Sequence, residues 1–514
     1  MTGRIGDAAV PGVGSPLESG VASASEPETG SGRRTAALEP LATGPVFAIA
    51  AAVFAVHVAL STRYGFHRDE PYYLWGGDHL AWGYVDHPPL VPLLARGASL
   101  AGDHTLLALR TLAAAVAGWL VIAGALITRE LGGGRRAQVL AAFAVACVPA
   151  TRAPEILFGT TAGDAAVWAV VLVLFTRLLR TERTALWGWI GLTVGIGLET
   201  KWAVGILVAG LTFGLVLSPA RRLLWTPWAL VAAITALALW LPNLWWNATH
   251  DWAFLEFQRE VGADNGTLDK RLLFFPLVVL LAGLAPIVVW LPGWAWLRRS
   301  PFRPIAIAAV IIVLAVFVAG GKPYYVGPLL LPLLAAGAIV LDRGTATRRR
   351  TGVWVLAVTG LVTIPATLPA LPARALDAIK PLNPEMGEMI GWPELVATTR
   401  QAYATLSPEE QRHAVILTSN YGSAAALRRG APELPVASAH NDLWLEGPPP
   451  ESATTVITVG YSPANLRTLC DAVTPIATIT NEAGITNQEA NRAVSRCTRD
   501  APWTSVWGAL KHYG

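Results

Sequence analysis

FHRDEPYYLWGGDHLAWGYVDHPPL, residues 66–90, sets acids, histidines, aromatics and a Pro-Pro pair between two long apolar runs. Charged groups interleaved with Tyr and Trp suit the interfacial layer of a membrane better than its hydrocarbon interior. The segment therefore reads as the polar end of a bundle of membrane helices, and as the place where its chemistry collects.

Asp69 and Glu70 follow directly on the first apolar run, with Pro71 behind them. Two readings are open. Acids in a first helical turn, with proline beside them, are favoured by the helix dipole and by the missing proline N–H. Alternatively the carboxylates are used, and Asp78, His79, Asp86 and His87 within the same stretch favour that.

Composition widens the picture. Of 514 residues 53% are hydrophobic and only 14% charged, and mean hydropathy is +0.46, which points to a membrane protein rather than several soluble domains. The 21 tryptophans suit interfacial belts. A net charge of +4 with no basic stripe excludes a nucleic-acid footprint.

Residues 1–40 are rich in Gly, Ser, Ala, Pro and Glu without periodicity and are expected to form a disordered tail with no cleavable signal peptide. Apolar runs then recur near 44–62, 106–128, 137–151, 164–179, 185–198, 202–217, 227–242, 272–297, 304–320, 324–341 and 352–372. The expected architecture is mainly α, about 11 transmembrane helices over residues 41–372, some shorter than the roughly 20 residues of an upright span. Arginines fall in every second loop (Arg129, Arg135 and Arg136; Arg177, Arg180 and Arg183; Arg221 and Arg222; Arg298 and Arg299; Arg348 to Arg350), which makes those loops and the N-terminus cytoplasmic. The loops 63–105, 152–163 and 243–271 and the turns at 199–201 and 321–323 then face outward.

From residue 373 to 514 the pattern changes to short strands and helices: HAVILTSN, YGSAAALRRG, TTVITVG, SPANLRTLCDAV, PIATIT and PWTSVWGALKHY. This is expected to be a small extracytoplasmic α/β domain. If so, Cys470 and Cys497 are free to pair, whereas Cys147 lies in an apolar run and reads as a buried side chain.

On the outward face, Asp164 opens the span TTAGDAAVWAVVLVLF, either as a first-turn acid or as a second carboxylate beside Asp69. Lys201 and Lys322 sit at outer turns, where a lysine snorkels or binds an anion. With Tyr324 and Tyr325 beside Lys322 in GGKPYY, a phosphate clamp is expected. Asn243, Trp246 and His250 lie in an aromatic loop that reads either as interfacial anchoring or as a sugar or lipid platform.

HRDEPYYL, GYVDHPPL, GLETKW, PNLWWNATHDW and GKPYYVGPLLLPLLAAG, in this order over residues 45–341, resemble the bacterial branch of the GT-C glycosyltransferases of family 39, relatives of protein O-mannosyltransferases and lipid A aminoarabinose transferases. SNYGSAAAL and PWTSVWGALKHY resemble tails of that branch. The resemblance implies a cell-membrane enzyme that moves a sugar from a polyprenyl phosphate to a hydroxyl acceptor on a protein, lipid or cell-envelope glycan at the outer leaflet. It further implies Asp69 as catalytic base, Glu70 and Asp164 as supporting acids, Lys201 near the donor phosphate, and His67, Tyr73, Asp86 and His87 around the substrates. His87 departs from the pattern, because relatives carry Lys before Pro-Pro-Leu. A phosphate leaving group needs no acid, only a base for the acceptor and positive charge on the phosphate, optionally a divalent metal ion on Asp69 or Asp164; in-line displacement then inverts the anomeric centre. A transporter or flippase is the competing class, and it would place charges near mid-membrane.

Overall fold

The computed structural model describes residues 38–152 and 156–514; the expected tail lies, up to residue 37, outside the described residues. The chain forms α1 (Thr43–Leu60), the short α2 (Asp69–Asp78) and α3 (Leu90–Ser99), then α4 (Thr105–Glu130), α5 (Arg135–Cys147), α6 (Thr160–Thr181), α7 (Leu186–Leu198) and α8 (Val204–Val216). There follow α9 (Pro227–Thr249), α10 (Ala253–Asn265), α11 (Leu268–Leu281), α12 (Ile287–Arg298), α13 (Arg303–Val318), α14 (Leu330–Asp342) and α15 (Ala346–Val362).

Five helical stretches among the described residues are long and apolar enough to cross a bilayer: Thr43–Leu60, Gly102–Glu130, Thr160–Thr181, Pro227–Thr249 and Pro323–Asp342. α7, α8 and α13 are apolar but shorter. The chain is thus a multi-pass membrane protein with fewer full-length spans than the hydropathy runs suggest. Two local causes account for part of the difference. The run 272–297 breaks in two where Gly283 turns at φ 82 and Pro286 follows. Conversely, α9 continues past Pro242 to Thr249 and α10 follows it, so most of the expected 243–271 loop is helical.

Glycines set the closest helix crossings. A side chain at Gly293 or Gly337 would collide with the backbone of α14 or α12 respectively, and one at Gly191 would collide with Ala232 of α9. Small residues let backbones approach where lipid offers no hydrophobic drive for helix association.

Beyond α15 a five-stranded sheet is built from β1 (Ala414–Thr418), β2 (Val436–Ser438), β3 (Thr455–Val459), β4 (Ala472–Thr478) and β5 (Ala493–Thr498) in the order β2-β1-β3-β5-β4. β1 runs parallel to β2 and β3, whereas β5 is antiparallel to β3 and β4. Alternation along β1 sends Ile416 into one apolar cluster with Trp392, Leu395 and Leu427, and Val415 and Leu417 into another with Leu466 and Trp503. Both faces are covered, which explains the unbroken apolar run AVIL. Cys470 and Cys497 are joined in a disulfide with their Cα atoms 5.6 Å apart, and Cys147 is buried and free.

Two polar connections fix α2. Glu70, fully buried, faces Arg110 of α4 with Nε 3.1 Å from Oε1 and Nη2 2.9 Å from Oε2. Its oxygens also accept the N–H groups of His67 and Phe158, while Arg110 donates to the carbonyls of Ser61 and Gly65. One ion pair therefore stitches the end of α1, the start of α2, α4 and the approach to α6. The second connection is to the sheet region: the Tyr72 hydroxyl lies 2.6 Å from Asp442 Oδ2 and 3.2 Å from Asp86 Oδ1, Val85 N–H donates to Asp442, and Asn441 Nδ2 donates to Asp86. Burial, reinforced by Asp69 for Asp86 and by Asp86 for Asp442, pushes both carboxyls up to about 7.

Removing one partner of a buried pair strands the other charge, so Glu70→Ala is expected to cost about 3–5 kcal/mol and to lower the melting temperature in detergent; an unchanged melt contradicts the stitching role. The raised carboxyls keep in the fold protons that the unfolded chain releases near pH 4, so their contribution declines as pH rises from about 4 to about 7. Asp442→Asn is therefore expected to gain in melting temperature on the wild type between about pH 5 and 7. A constant difference across that window contradicts the raised Asp442 carboxyl.

Candidate active site

The carboxyl ends of β1 and β2 deliver the residues that meet α2. β1 is where the parallel strands diverge, with β2 on one side and β3 on the other, and loops at such a point form a crevice. The loop after β1 ends in Asn420, whose side chain caps the helix Tyr421–Gly430, and the segment after β2 carries His440 and Asn441. Opposite them, α2 begins at Asp69. Between lies a cavity of about 920 Å³, also walled by α10, α11, Lys201, Lys322 to Tyr325 and Glu385.

Asp69 stands at the centre of the polar end. Its Oδ1 accepts the Tyr421 hydroxyl at 2.6 Å and lies 3.4 Å from Arg68 Nε; its Oδ2 lies 3.7 Å from His67 Nδ1. His67 Nε2 is 3.0 Å from Glu385 Oε2, and the Asp69 N–H points at Nδ1 from 3.3 Å. Burial works against the Asp69 charge, yet His67, Arg68 and the Tyr421 hydrogen bond hold its carboxyl below the usual range. Burial likewise opposes charge on His67, and Asp69 and Glu385 outweigh it, holding His67 above its ordinary value. For Glu385 burial is overcome by His67, Lys322 and Arg68, and its carboxyl comes down to about 2. The site thus presents an ionised carboxylate, 32% exposed to the cavity, at neutral pH.

At the other end Lys201 donates to Thr161 Oγ1 at 3.2 Å and lies 4.0 Å from the centre of the Tyr325 ring. Lys322 lies 5.9 Å from the Tyr324 ring, and the two tyrosine rings meet edge-on. Arg68 makes no hydrogen bond among the described residues, and its buried Nε is unpartnered. These cations can hold an anionic group within reach of Asp69.

His67, Asp69, Tyr73, Asp86, Lys201, Lys322, Tyr324 and Tyr325 all line this cavity. Six further candidates lie elsewhere. Glu70 faces Arg110 behind α2 and supports the fold rather than the cavity. Asp164 is buried in α6 against Trp168 Nε1 at 2.9 Å and does not line the cavity that Asp69 lines. The described residues contain no group of three or more His, Cys, Asp or Glu side chains placed to hold a metal ion. His87 is packed among Tyr72, Tyr73 and Tyr84, and burial lowers its basicity. Asn243 bridges the Trp82 carbonyl and Trp202, and Trp246 stacks on His250 at 4.1 Å. Asn243 and Trp246 pack against the loop at Trp82 and Gly83, and none of the three lines the cavity.

Arg68, Glu385, Tyr421 and Asn441 line the cavity without having been singled out. Arg68 adjoins Asp69 in sequence, and SNYG with its capping Asn was a signal for a helix start at Tyr421; nothing local marks Glu385.

Residues 86–246 match the family model described as dolichyl-phosphate-mannose-protein mannosyltransferase. Over 242 residues the chain is 27% identical to the lipid A galacturonosyltransferase RgtD of Rhizobium johnstonii, a stretch covering 45% of this chain and 49% of that one. The match therefore spans about half the length of this curated relative. Among solved structures, ArnT from Cupriavidus metallidurans bound to undecaprenyl phosphate superposes with a TM-score of 0.58 at 15% identity, covering 88% of this chain and 97% of that one. Its apo form gives 0.59 at 15% identity over 92% and 100%. Residues 86–246 are thus similar to the family described as dolichyl-phosphate-mannose-protein mannosyltransferase, in a chain that shares the fold of the ArnT structures.

Proposed function

We propose that this protein is a membrane glycosyltransferase that moves a sugar from a polyprenyl phosphate to a hydroxyl-bearing acceptor, a lipid A-like glycolipid being the acceptor class favoured by the relative RgtD. The observation that carries the reading is one cavity lined by an ionised carboxylate, Asp69, and by two lysines, Lys201 and Lys322, that lie against tyrosine rings. Support comes from the family match over residues 86–246 and from the undecaprenyl phosphate named with the ArnT structure.

Asp69 takes the proton of the acceptor hydroxyl as its oxygen attacks the anomeric carbon. The bond from that carbon to phosphate breaks, and the electron pair leaves on the phosphate oxygen. Lys201, Lys322 and Arg68 stabilise that charge, with Tyr324 and Tyr325 beside them. With base and leaving group on opposite faces, the anomeric configuration inverts. In this reading the N-terminus is cytoplasmic, the cavity opens at the outer leaflet, and the sheet region of residues 373–514 is extracytoplasmic. No step requires a metal ion to be assigned a ligand set here.

Asp69→Asn keeps the size of the side chain and removes the base. Transfer is expected to fall by about 100-fold or more with donor binding retained, and a wild-type rate removes Asp69 from the mechanism. Lys201→Gln is expected to weaken use of the donor by roughly tenfold in kcat/KM; an effect confined to acceptor KM would move the phosphate elsewhere. For orientation, a cysteine at the exposed position His79 is expected to react with an impermeant thiol reagent on intact cells, and labelling only after permeabilisation reverses the topology.

A further inference from the structure

Asp69 is held from both sides by residues far along the chain. Tyr421, 352 positions away, donates to Oδ1 at 2.6 Å, and Glu385 accepts from the His67 ring whose other nitrogen lies 3.7 Å from Oδ2. Both come from the part of the chain beyond residue 373. We propose that this C-terminal part completes the base: Tyr421 is a positioning residue that aims Asp69, and Glu385 orients the His67 ring beside it. The proposal rests on the reading of Asp69 as base and assigns the sheet region a share in the reaction itself rather than acceptor docking or a lid alone.

Three features separate this arrangement from a tyrosine that only glues two parts together. First, the acceptor of the Tyr421 proton is a carboxylate lining the cavity, and not a spare carbonyl on a wall. Second, the phenol is aimed by its own supports. Asn420 accepts from the Ser423 N–H and donates to Glu489 Oε1 at 2.7 Å, the Tyr421 N–H points at His440 Nδ1, and the ring packs on Tyr72 at 4.7 Å. Third, the Tyr421 hydrogen bond engages Oδ1, whereas Oδ2 makes no hydrogen bond among the described residues and has His67 Nδ1 3.7 Å away. A hydrogen bond to the charged form of a carboxyl favours that form, and a fixed donor also restricts where the remaining lone pairs point.

The groups that bear on the Asp69 charge are Arg68 and His67 from its own segment, Tyr73 from α2, Asp86 from the following loop, Tyr324 before α14, and Glu385 and Tyr421 from the C-terminal part. Arg68, His67 and Tyr421 favour the ionised form, while Glu385 opposes it directly. Losing Tyr421's hydroxyl removes one of the favourable contacts, so the pH at which Asp69 protonates must rise. In the acid range where Asp69 takes up its proton His67 is protonated with or without Glu385, so losing the Glu385 charge removes only a direct repulsion on Asp69 and does not raise the pH at which it protonates.

The test is the pH profile of sugar transfer by the full-length protein in detergent or nanodiscs, with kcat and KM separated, for the wild type, Tyr421→Phe and Glu385→Gln. Tyr403→Phe serves as control, a tyrosine of the same region whose hydroxyl donates only to the Gln411 carbonyl. In Tyr421→Phe the acid limb of kcat/KM is expected to move up by roughly one pH unit, with about a tenfold loss of kcat on the acid side that is recovered as pH rises and with donor KM little changed. Glu385→Gln, which removes only a repulsion on Asp69, and Tyr403→Phe are expected not to move the limb upward. A wild-type limb in Tyr421→Phe, or a loss of rate uniform across pH, overturns the proposal. Should Tyr421→Phe fail to fold, as judged by melting, Asn420→Ala, which removes the cap that aims Tyr421, carries the test, and an unmoved limb there is equally decisive. Should the wild type transfer sugar from no polyprenyl phosphate, the reading of the function fails instead. The Asp69 titration is then followed by its infrared carboxyl band, identified by its loss in Asp69→Asn, and an identical midpoint in wild type and Tyr421→Phe overturns the inference on its own.

Discussion

The buried pair of Glu70 and Arg110 is the constraint on which the cavity depends. Neither side chain reaches solvent, and each spends its remaining capacity on backbone groups from different segments: Ser61, Gly65, His67 and Phe158. Two charges removed from water are costly, and they are tolerated here because every strand of the connection is satisfied. The consequence is a fixed starting direction for α2. Successive helical residues are about 100° apart, so when Glu70 is pinned to α4 its neighbour Asp69 is obliged to face the other way, into the cavity.

The second half of the site is supplied by a sheet rather than by helices. Because β1 has parallel neighbours on both sides, the loops at its carboxyl end and at that of β2 open together, and they carry Tyr421 and Asn441 to the rim where α2 begins. Tyr72 then ties the two halves through Asp86 and Asp442. The cavity is in this sense assembled between the ends of a helical membrane bundle and the switch point of an α/β sheet. It places a carboxylate that is ionised by its surroundings in one cavity with Lys201 and Lys322.

Much of this was legible in the residues alone. His67, Asp69, Tyr73 and Asp86 of the polar island, the lysines at the turns 199–201 and 321–323 and the tyrosines beside Lys322 line one cavity. The strands β1 and β3 and the helices after them were readable from AVILT and TVITV, whereas β5, AVSRCT, alternates polar and apolar residues too weakly to stand out. The number of full-length spans was not readable, because hydropathy alone does not register the turn at Gly283 or the continuation of α9 through Pro242. That continuation also misplaced Asn243, Trp246 and His250, which composition marked as an open loop. Asp164 and Glu70 illustrate a different limit: an acid next to a membrane span looks alike whether it faces a substrate, a tryptophan or an arginine. Tyr421 and Glu385 were out of reach for the opposite reason, since their importance is a contact across more than 300 residues.

The central claim is that the carboxylate and the cations of this cavity act together on a lipid-linked sugar. It is tested most directly by incubating the purified protein with a panel of polyprenyl phosphate sugars, hexoses and hexuronic acids among them, and a lipid A-type acceptor, and following both products by mass spectrometry. The account predicts one molecule of polyprenyl phosphate released for each sugar gained by the acceptor, with the anomeric centre inverted. Movement of an unaltered lipid-linked sugar across the membrane, with neither product formed from any donor, would contradict it.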